Sequence, residues 1–260
     1  MKYNYHTHTP RCNHATGSER EYIEKAISEG IEVLGFSDHA PYLFDGDYYS
    51  TFRMRPEETG EYFKTIRALA EEYRDRITIL AGMELEYYPG IFERTLHFIA
   101  QYDCDYLIQG QHFWGVEETN ANLPRDDAGM FNRYIDQLIE GMETGVYTYV
   151  AHPDMWNFTG DAREREKGNL RICEAAKRLN IPLEINLLGL SQGRHYPTQS
   201  LFTVAAQVGN EVVLGCDTHS VERMANPAEL DRAMEFAARC GVTPVELSME
   251  RVLARKKNIK

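Results

Sequence analysis

The sequence predicts an α/β protein of one domain, residues 1–260, in which seven β-α units close or nearly close into a barrel. Three observations lead there. Short apolar runs recur seven times, stretches with helical spacing fall between them, and no linker, internal repeat or low-complexity segment interrupts the series. Strands that alternate with helices imply a parallel sheet. Seven uninterrupted units favour a barrel over the other arrangement the pattern allows, a doubly wound open sheet.

The strand-like runs cover residues 3–5, 31–36, 77–83, 106–108, 146–150, 183–187 and 212–214. Ser18-Glu19-Arg20-Glu21 announces the first helix as a capping box, ahead of Tyr22, Ile23, Ala26 and Ile27, with Gly30 as its stop. Pro56 followed by Glu57 and Glu58 opens the second, whose Phe63, Ile66, Leu69 and Ala70 share one face. Residues 132–143, 163–179 and 228–239 read as later helices, and Thr243-Pro244-Val245-Glu246 as the start of a terminal one. Two irregular stretches, 38–55 and 113–127, are rich in Gly, Asp, Asn and aromatics, the composition of functional rim loops or of plain surface insertions.

Composition excludes several classes. Lys and Arg number 28 against 40 Asp and Glu, a formal net charge of −12, so no basic face is available for nucleic acid. The densest basic stretch, Arg255, Lys256 and Lys257, reads as a frayed, solvated helix end. At 43% hydrophobic and 26% charged the chain is an ordinary globular sequence. No apolar run reaches the ~18 residues of a membrane span, and Met1-Lys2-Tyr3-Asn4-Tyr5 lacks a signal peptide's apolar stretch, so the expected location is the cytoplasm, with no membrane partner. Five scattered cysteines, Cys12, Cys104, Cys173, Cys216 and Cys240, form no C-x-x-C pair and read as small buried hydrophobes; Cys12 lies near His14 in sequence. The helix faces predict no particular oligomer.

Chemistry stands at the strand ends. The first strand is followed by His6-Thr7-His8 and then His14, the second by Asp38-His39, the third by Glu84 and Glu86, and the fourth by His112. His152-Pro153-Asp154 follows the fifth, the sixth carries Glu184 and Asn186, and the seventh ends in Asp217-Thr218-His219. In a parallel barrel all these carboxyl-terminal strand ends lie on one rim, so residues far apart in sequence converge. Residues i and i+2 of an extended strand point the same way, which lets His6 and His8 grip one ion together and lets Asp217 face the same pocket as His219. A lone histidine is usually a surface or satisfied core group, but seven of the nine histidines occupy these positions, and imidazole with carboxylate suits Zn, Mn, Fe or Co. Of the other two, His97 reads as a structural mid-helix residue and His195 lies in a rim loop.

The ordered set H-x-H, a further His, S-D-H, G-x-E-x-E, G-x-H, H-P-D and C-D-x-H, running from His6 to His219, resembles the polymerase and histidinol phosphatase (PHP) superfamily of metal-dependent phosphoesterases. That resemblance implies a distorted seven-stranded (β/α)7 barrel with three divalent metal ions at the carboxyl-terminal rim. Carried over by position, one ion would take His6, His8, Glu84 and Asp217, a second His112, His152 and the bridging Glu84, and a third His14, His39 and His219. Asp38, Asp154 and Glu184 fall outside the family's ligand positions and read as acceptors orienting imidazoles, or as surface and cap groups. Glu86 points with Glu84 by strand alternation and is left unassigned.

The expected chemistry is hydrolysis of a small-molecule phosphate ester. Divalent ions lower the pKa of water toward ~7, so a bridging hydroxide held through His6, His8, Glu84 and Asp217 would attack phosphorus in line, without a phosphoenzyme. Arg194 and Arg163 are candidate phosphate clamps, Arg163 equally a helix-surface charge, and His195 is the candidate leaving-group acid. The sixth-strand E-I-N, the following Gly-Arg loop and Tyr196-Pro197 resemble the histidinol-phosphatase branch. A substrate with an ammonium and an imidazole calls for acidic and aromatic rim groups, which Phe44, Asp45, Asp47, Tyr48 and Tyr49 and then Phe113, Trp114, Glu117 and Glu118 could supply. The alternatives are a PHP phosphatase for a nucleotide or sugar phosphate, a nuclease, which would need a basic groove, and an amidohydrolase, which would need a lysine where His112 stands. A metal-binding regulatory protein without turnover is the fourth.

Overall fold

The computed structural model describes residues 1–259. Its strands are β1 (Tyr3–Asn4), β2 (Val33–His39), β3 (Thr78–Glu84), β4 (Tyr106–Gly110), β5 (Phe113–Trp114), β6 (Thr119–Asn120), β7 (Tyr147–Ala151), β8 (Leu183–Asn186) and β9 (Val212–Gly215). The helices are α1 (Glu19–Ser28), α2 (Thr59–Tyr73), α3 (Phe92–Ile99), α4 (Ala128–Glu143), α5 (Ala162–Arg178), α6 (Leu187–Gln192), α7 (Gln199–Val208), α8 (Pro227–Cys240) and α9 (Met249–Leu253). Seven strands pair in parallel in the order β1-β2-β3-β4-β7-β8-β9, while β5 and β6 form a separate antiparallel hairpin. Strand order therefore follows chain order, without the reversal that defines a doubly wound sheet. A bridge between Thr7 and Thr218, with His8 N–H donating to the Thr218 carbonyl at 3.0 Å, joins the two sheet edges just beyond β1 and β9. The barrel is nearly closed, as the seven-unit pattern predicts.

Strands β2, β3, β4, β7 and β8 are buried on both faces along nearly their whole length, which is why they read as near-continuous apolar runs. The outward faces pack against the helices, while Tyr5, Val33, Leu80, Tyr106, Ile108, Tyr149 and Val213 meet Leu247 and Val252 in a second, interior cluster. The Ser18 capping box forms as predicted. Pro56 opens a short 3-10 turn that leads into α2. Helix α4 starts four residues before its apolar pattern, because the Asp127 side chain accepts from Met130 N–H.

Two expectations need correction. The segment at Thr243–Glu246 is not helical: Val245 N–H donates to the Val212 carbonyl, and the Glu246 carboxylate accepts from the N–H groups of Lys2 and Tyr3. It caps the amino-terminal barrel end, and the last helix begins only after Ser248. Nor is the basic tail a frayed end. Arg255 donates to the carbonyls of Gly145, Leu179 and Asn180, and Lys256 lies 2.9 Å from Asp105 and 2.7 Å from Asp103. All five cysteines are buried and unpaired. No helix among the described residues is long and apolar enough to cross a membrane.

Candidate metal centre

Glu84, the last residue of β3, is the hub of the carboxyl-terminal rim. Its Oε1 lies 2.9 Å from His152 Nε2 and 3.6 Å from His112 Nε2, whereas Oε2 lies 2.9 Å from His39 Nδ1, 3.5 Å from His8 Nε2 and 3.6 Å from His6 Nε2. One carboxylate thus serves two groups of imidazoles, one per oxygen. Asp217 Oδ1 supplies a second focus, 3.2 Å from His8 Nε2, 3.4 Å from His6 Nε2 and 3.5 Å from His219 Nδ1. His14 completes the row: its ring centroid is 4.5 Å from that of His219, which stacks at 4.0 Å on His8.

Local geometry turns these rings inward. His6 Nδ1 lies 2.8 Å from Glu184, His14 Nδ1 2.7 Å from the Cys12 carbonyl, and His219 Nδ1 3.0 Å from the Asp217 carbonyl. An Nδ1–H spent on such an acceptor leaves Nε2 as the free lone pair. His112 Nδ1 faces Glu86 at 3.4 Å without a hydrogen bond, and His39 turns Nδ1 toward Glu84. The backbone also bends to deliver ligands, since His152 and Asp217 hold left-handed φ values of 31° and 48°, unfavourable for residues with a Cβ. Two glycines make room: a Cβ on Gly110 would sit 1.7 Å from Glu84 Oε1, and one on Gly215 2.1 Å from Glu184 Oε2.

The donor set fits divalent ions. Buried atoms without a hydrogen-bond partner include Nε2 of His6, His8 and His219, Nδ1 of His39 and Oε2 of Glu84, a density of orphaned polar groups that a folded protein does not tolerate without a ligand. Burial would push Glu84 up, but His112, His39 and His6 outweigh it and hold the carboxyl well below its usual range. Asp217 stays ionised by the same balance, through His6 and His8. Burial, reinforced by His8, holds His39 and His219 well below the ordinary imidazole value. The cluster opens into a cavity of about 550 Å³ lined by His14, His39, His112, Asp217 and His219 with Phe52, Arg194 and Tyr196.

Residues 4–187 match the PHP domain family. The chain belongs to the PHP family. It is 30% identical over 222 residues to a probable histidinol-phosphatase of Deinococcus radiodurans, covering 82% of this chain and 85% of that one. A histidinol-phosphatase of Bacillus subtilis is 23% identical, with 82% and 92% covered. The crystal structure of a Lactococcus lactis histidinol phosphate phosphatase, complexed with zinc, L-histidinol and phosphate, superposes with a TM-score of 0.72 at 20% identity, covering 94% of this chain and 95% of that one, and shows the same fold.

Outside the ligand row, this PHP chain arranges its carboxylates in support. Glu184 contacts His6 and accepts from Asn186, whose amide also reaches Asp217 at 3.0 Å. Asp38 accepts from Thr9 and lies 3.5 Å from His8 Nδ1. Asp154 touches no imidazole: it accepts from Thr198 N–H, and burial pushes its carboxyl up to about 6.

Four expectations about the rim are corrected. Arg194 stands at the cavity mouth, with Nη1 2.6 Å from Tyr196 Oη, but Arg163 is exposed on the first turn of α5 and does not line the cavity, because Asp161 caps the helix and directs that turn to solvent. His195 turns away, its Nε2 2.7 Å from the Met155 carbonyl, into a neighbouring cavity with Asp154 and Trp156. Glu117 is buried under the rim against Arg53, and Tyr48 donates to it at 2.6 Å. Phe44 packs against both Tyr48 and Tyr49, Asp45 pairs with Arg94, and Trp114 and Glu118 line a separate groove, so Thr51, Phe52 and Asn122 supply the loop surface of the cavity instead. Phe52 and Arg53 escaped the sequence reading. Glu86, an inward carboxylate without an assigned cation, was the available signal.

Proposed function

We propose that this protein is a metal-dependent phosphomonoesterase that hydrolyses L-histidinol phosphate to L-histidinol and phosphate, in the cytoplasm. The observation that carries the reading is the Glu84 carboxylate divided between two imidazole groups, of which His39 and His112 line an open cavity. The names of the relatives from Deinococcus radiodurans and Bacillus subtilis support the substrate.

Three divalent ions, Zn, Mn, Fe or Co, would be held by His6, His8, Glu84 and Asp217, by His112, His152 and Glu84, and by His14, His39 and His219. When bound, such ions supply Lewis acidity and a water acidic enough to be a nucleophile at neutral pH. Glu84 and Asp217, kept ionised, offset part of the ions' charge and leave the pocket attractive to a phosphate dianion. Glu184 fixes the His6 ring through Nδ1, and the carbonyls of Cys12 and Asp217 do so for His14 and His219, so the donor geometry is set before substrate arrives. Arg194, at the mouth and held by Tyr196, is placed to meet phosphate oxygens as they enter.

The test is phosphate release from L-histidinol phosphate, compared as kcat/KM with a nucleoside monophosphate and p-nitrophenyl phosphate, on protein loaded with Mn or Zn. The expected preference is ~10³ or more, equal to about 4 kcal/mol of transition-state discrimination. Equal rates on all three esters would remove the histidinol assignment and leave a general phosphatase.

A further inference from the structure

The ligand set does not account for Arg53. It is the largest fully buried side chain of the described residues, and a permanently charged guanidinium is taken out of water only with full compensation. Its Nη2 lies 2.7 Å from Glu86 Oε1 and 2.5 Å from Glu117 Oε1, its Nε donates to Ser50 Oγ at 2.9 Å and to Glu117 at 3.0 Å, and its Nη1 donates to the Ala40 carbonyl at 3.2 Å. The guanidinium carbon sits 4.3 Å from the centre of the Phe52 ring, the same ring that lines the cavity and meets His39 edge-on at 5.2 Å.

Glu86 passes this arrangement on. Its Oε2 accepts from the backbone N–H of His112 at 2.8 Å and of Phe113 at 3.1 Å, and its Oε1, already on Arg53, lies 3.4 Å from His112 Nδ1. A single cation therefore ties the end of β2, the loop carrying Ser50 and Phe52, the residues after β3 and the hairpin loop carrying Glu117. Remove it, and two buried carboxylates lose their shared counter-charge while Glu86 loses the contact that sets its orientation.

We propose that Arg53 is a positioning residue for the His112 side of the metal centre: it holds Glu86, and Glu86 holds both the backbone and the ring of His112 against Glu84. The proposal rests on the metal reading above. Of the expected ligands outside Glu84, the Glu86 carboxylate contacts His112 alone; His14 and His219 take their orientation from the carbonyls of Cys12 and Asp217, and His39 meets this cluster only through the edge of Phe52.

The experiment is retention of Co(II) by the full chain against a chelator series, counted per chain and followed by the visible absorption of the bound ion, for the parent, Arg53→Lys and Glu86→Gln. A lysine keeps the charge but cannot serve both carboxylates, and a glutamine has one acceptor oxygen where Glu86 uses two. Both variants are expected to release one ion at ~10- to 100-fold lower chelator strength while the others stay as in the parent. Retention identical to the parent in both, or uniform loosening of every ion together with a lower unfolding temperature, would overturn the proposal. If Arg53→Lys does not fold, Glu86→Gln alone decides on the same two outcomes. A parent that holds no Co(II) at all would instead overturn the metal reading, and the proposal with it.

Discussion

The two ends of this barrel solve opposite problems with similar residues. At the amino-terminal end, the buried hydroxyls of two tyrosines are paired within the protein, Tyr106 Oη donating to the Tyr5 carbonyl at 2.8 Å and Tyr5 Oη to the Leu247 carbonyl at 2.8 Å, while on the surface Glu246 takes the N–H groups of Lys2 and Tyr3. At the carboxyl-terminal rim, imidazole nitrogens and a carboxylate oxygen are equally buried and lack partners. One end is finished by the chain itself, and the other is finished by ions. Stability and chemistry are thereby separated along the barrel axis, and substitutions at the two ends should fail in different ways.

The largest effect is expected from Glu84→Ala. Because both Glu84 oxygens face imidazoles, this variant should lose two ions and ~10³-fold or more in kcat/KM, about 4 kcal/mol. His14→Ala should empty one site only, and equal metal loss by elemental analysis in the two variants would break the division of Glu84 between two groups. Gly110→Ala comes next. Its methyl group would displace the Glu84 carboxylate, and a ligand shifted by ~1 Å is expected to lower kcat/KM on the order of 10²-fold, with a far smaller change in the urea midpoint.

At the opposite end the readout is stability. Asp105, just before β4, accepts from Ala81 N–H and pairs with Arg67 and Lys256; burial would raise its carboxyl, but these partners hold it below the ordinary aspartate range. A carboxyl lowered in the folded state stabilises the protein above its unfolded pKa, and that contribution is lost as pH falls from there through the lower folded value. Asp105→Asn should therefore reduce unfolding free energy at neutral pH by roughly 1–3 kcal/mol and flatten the acid limb below about pH 4, leaving kcat/KM within a factor of about three. An unchanged acid limb would show that this carboxylate does not anchor the tail. Tyr106→Phe is expected to have the smallest effect, about 1 kcal/mol in urea unfolding with unaltered metal content, since one hydroxyl leaves two carbonyls without their donor. Loss of ions in this variant would mean that the two ends are coupled after all.

Much of this was readable from the chain alone because its physics is local and periodic. Burial on both faces makes most of the parallel strands legible apolar runs, and the strand period places His6 with His8 on one side. The parallel topology then brings every strand's end to the same rim, so His6 and His219 could be assigned to one site without any contact being known. Only the tertiary structure decided the rest. Arg53 lies in an irregular loop where no period marks an inward side chain, and its carboxylates come from two other loops, so nothing in its neighbourhood distinguishes it from a solvated arginine. The same holds for the tail, where Arg255 and Lys256 are pinned by carbonyls and aspartates more than seventy residues away in sequence. Arg163, Glu117 and His195 sit in suitable rim segments, yet the direction of each is set by a helix cap, a buried arginine and a distant carbonyl. Sequence reveals which residue types reach the rim; which way they turn depends on partners that only folding brings within reach.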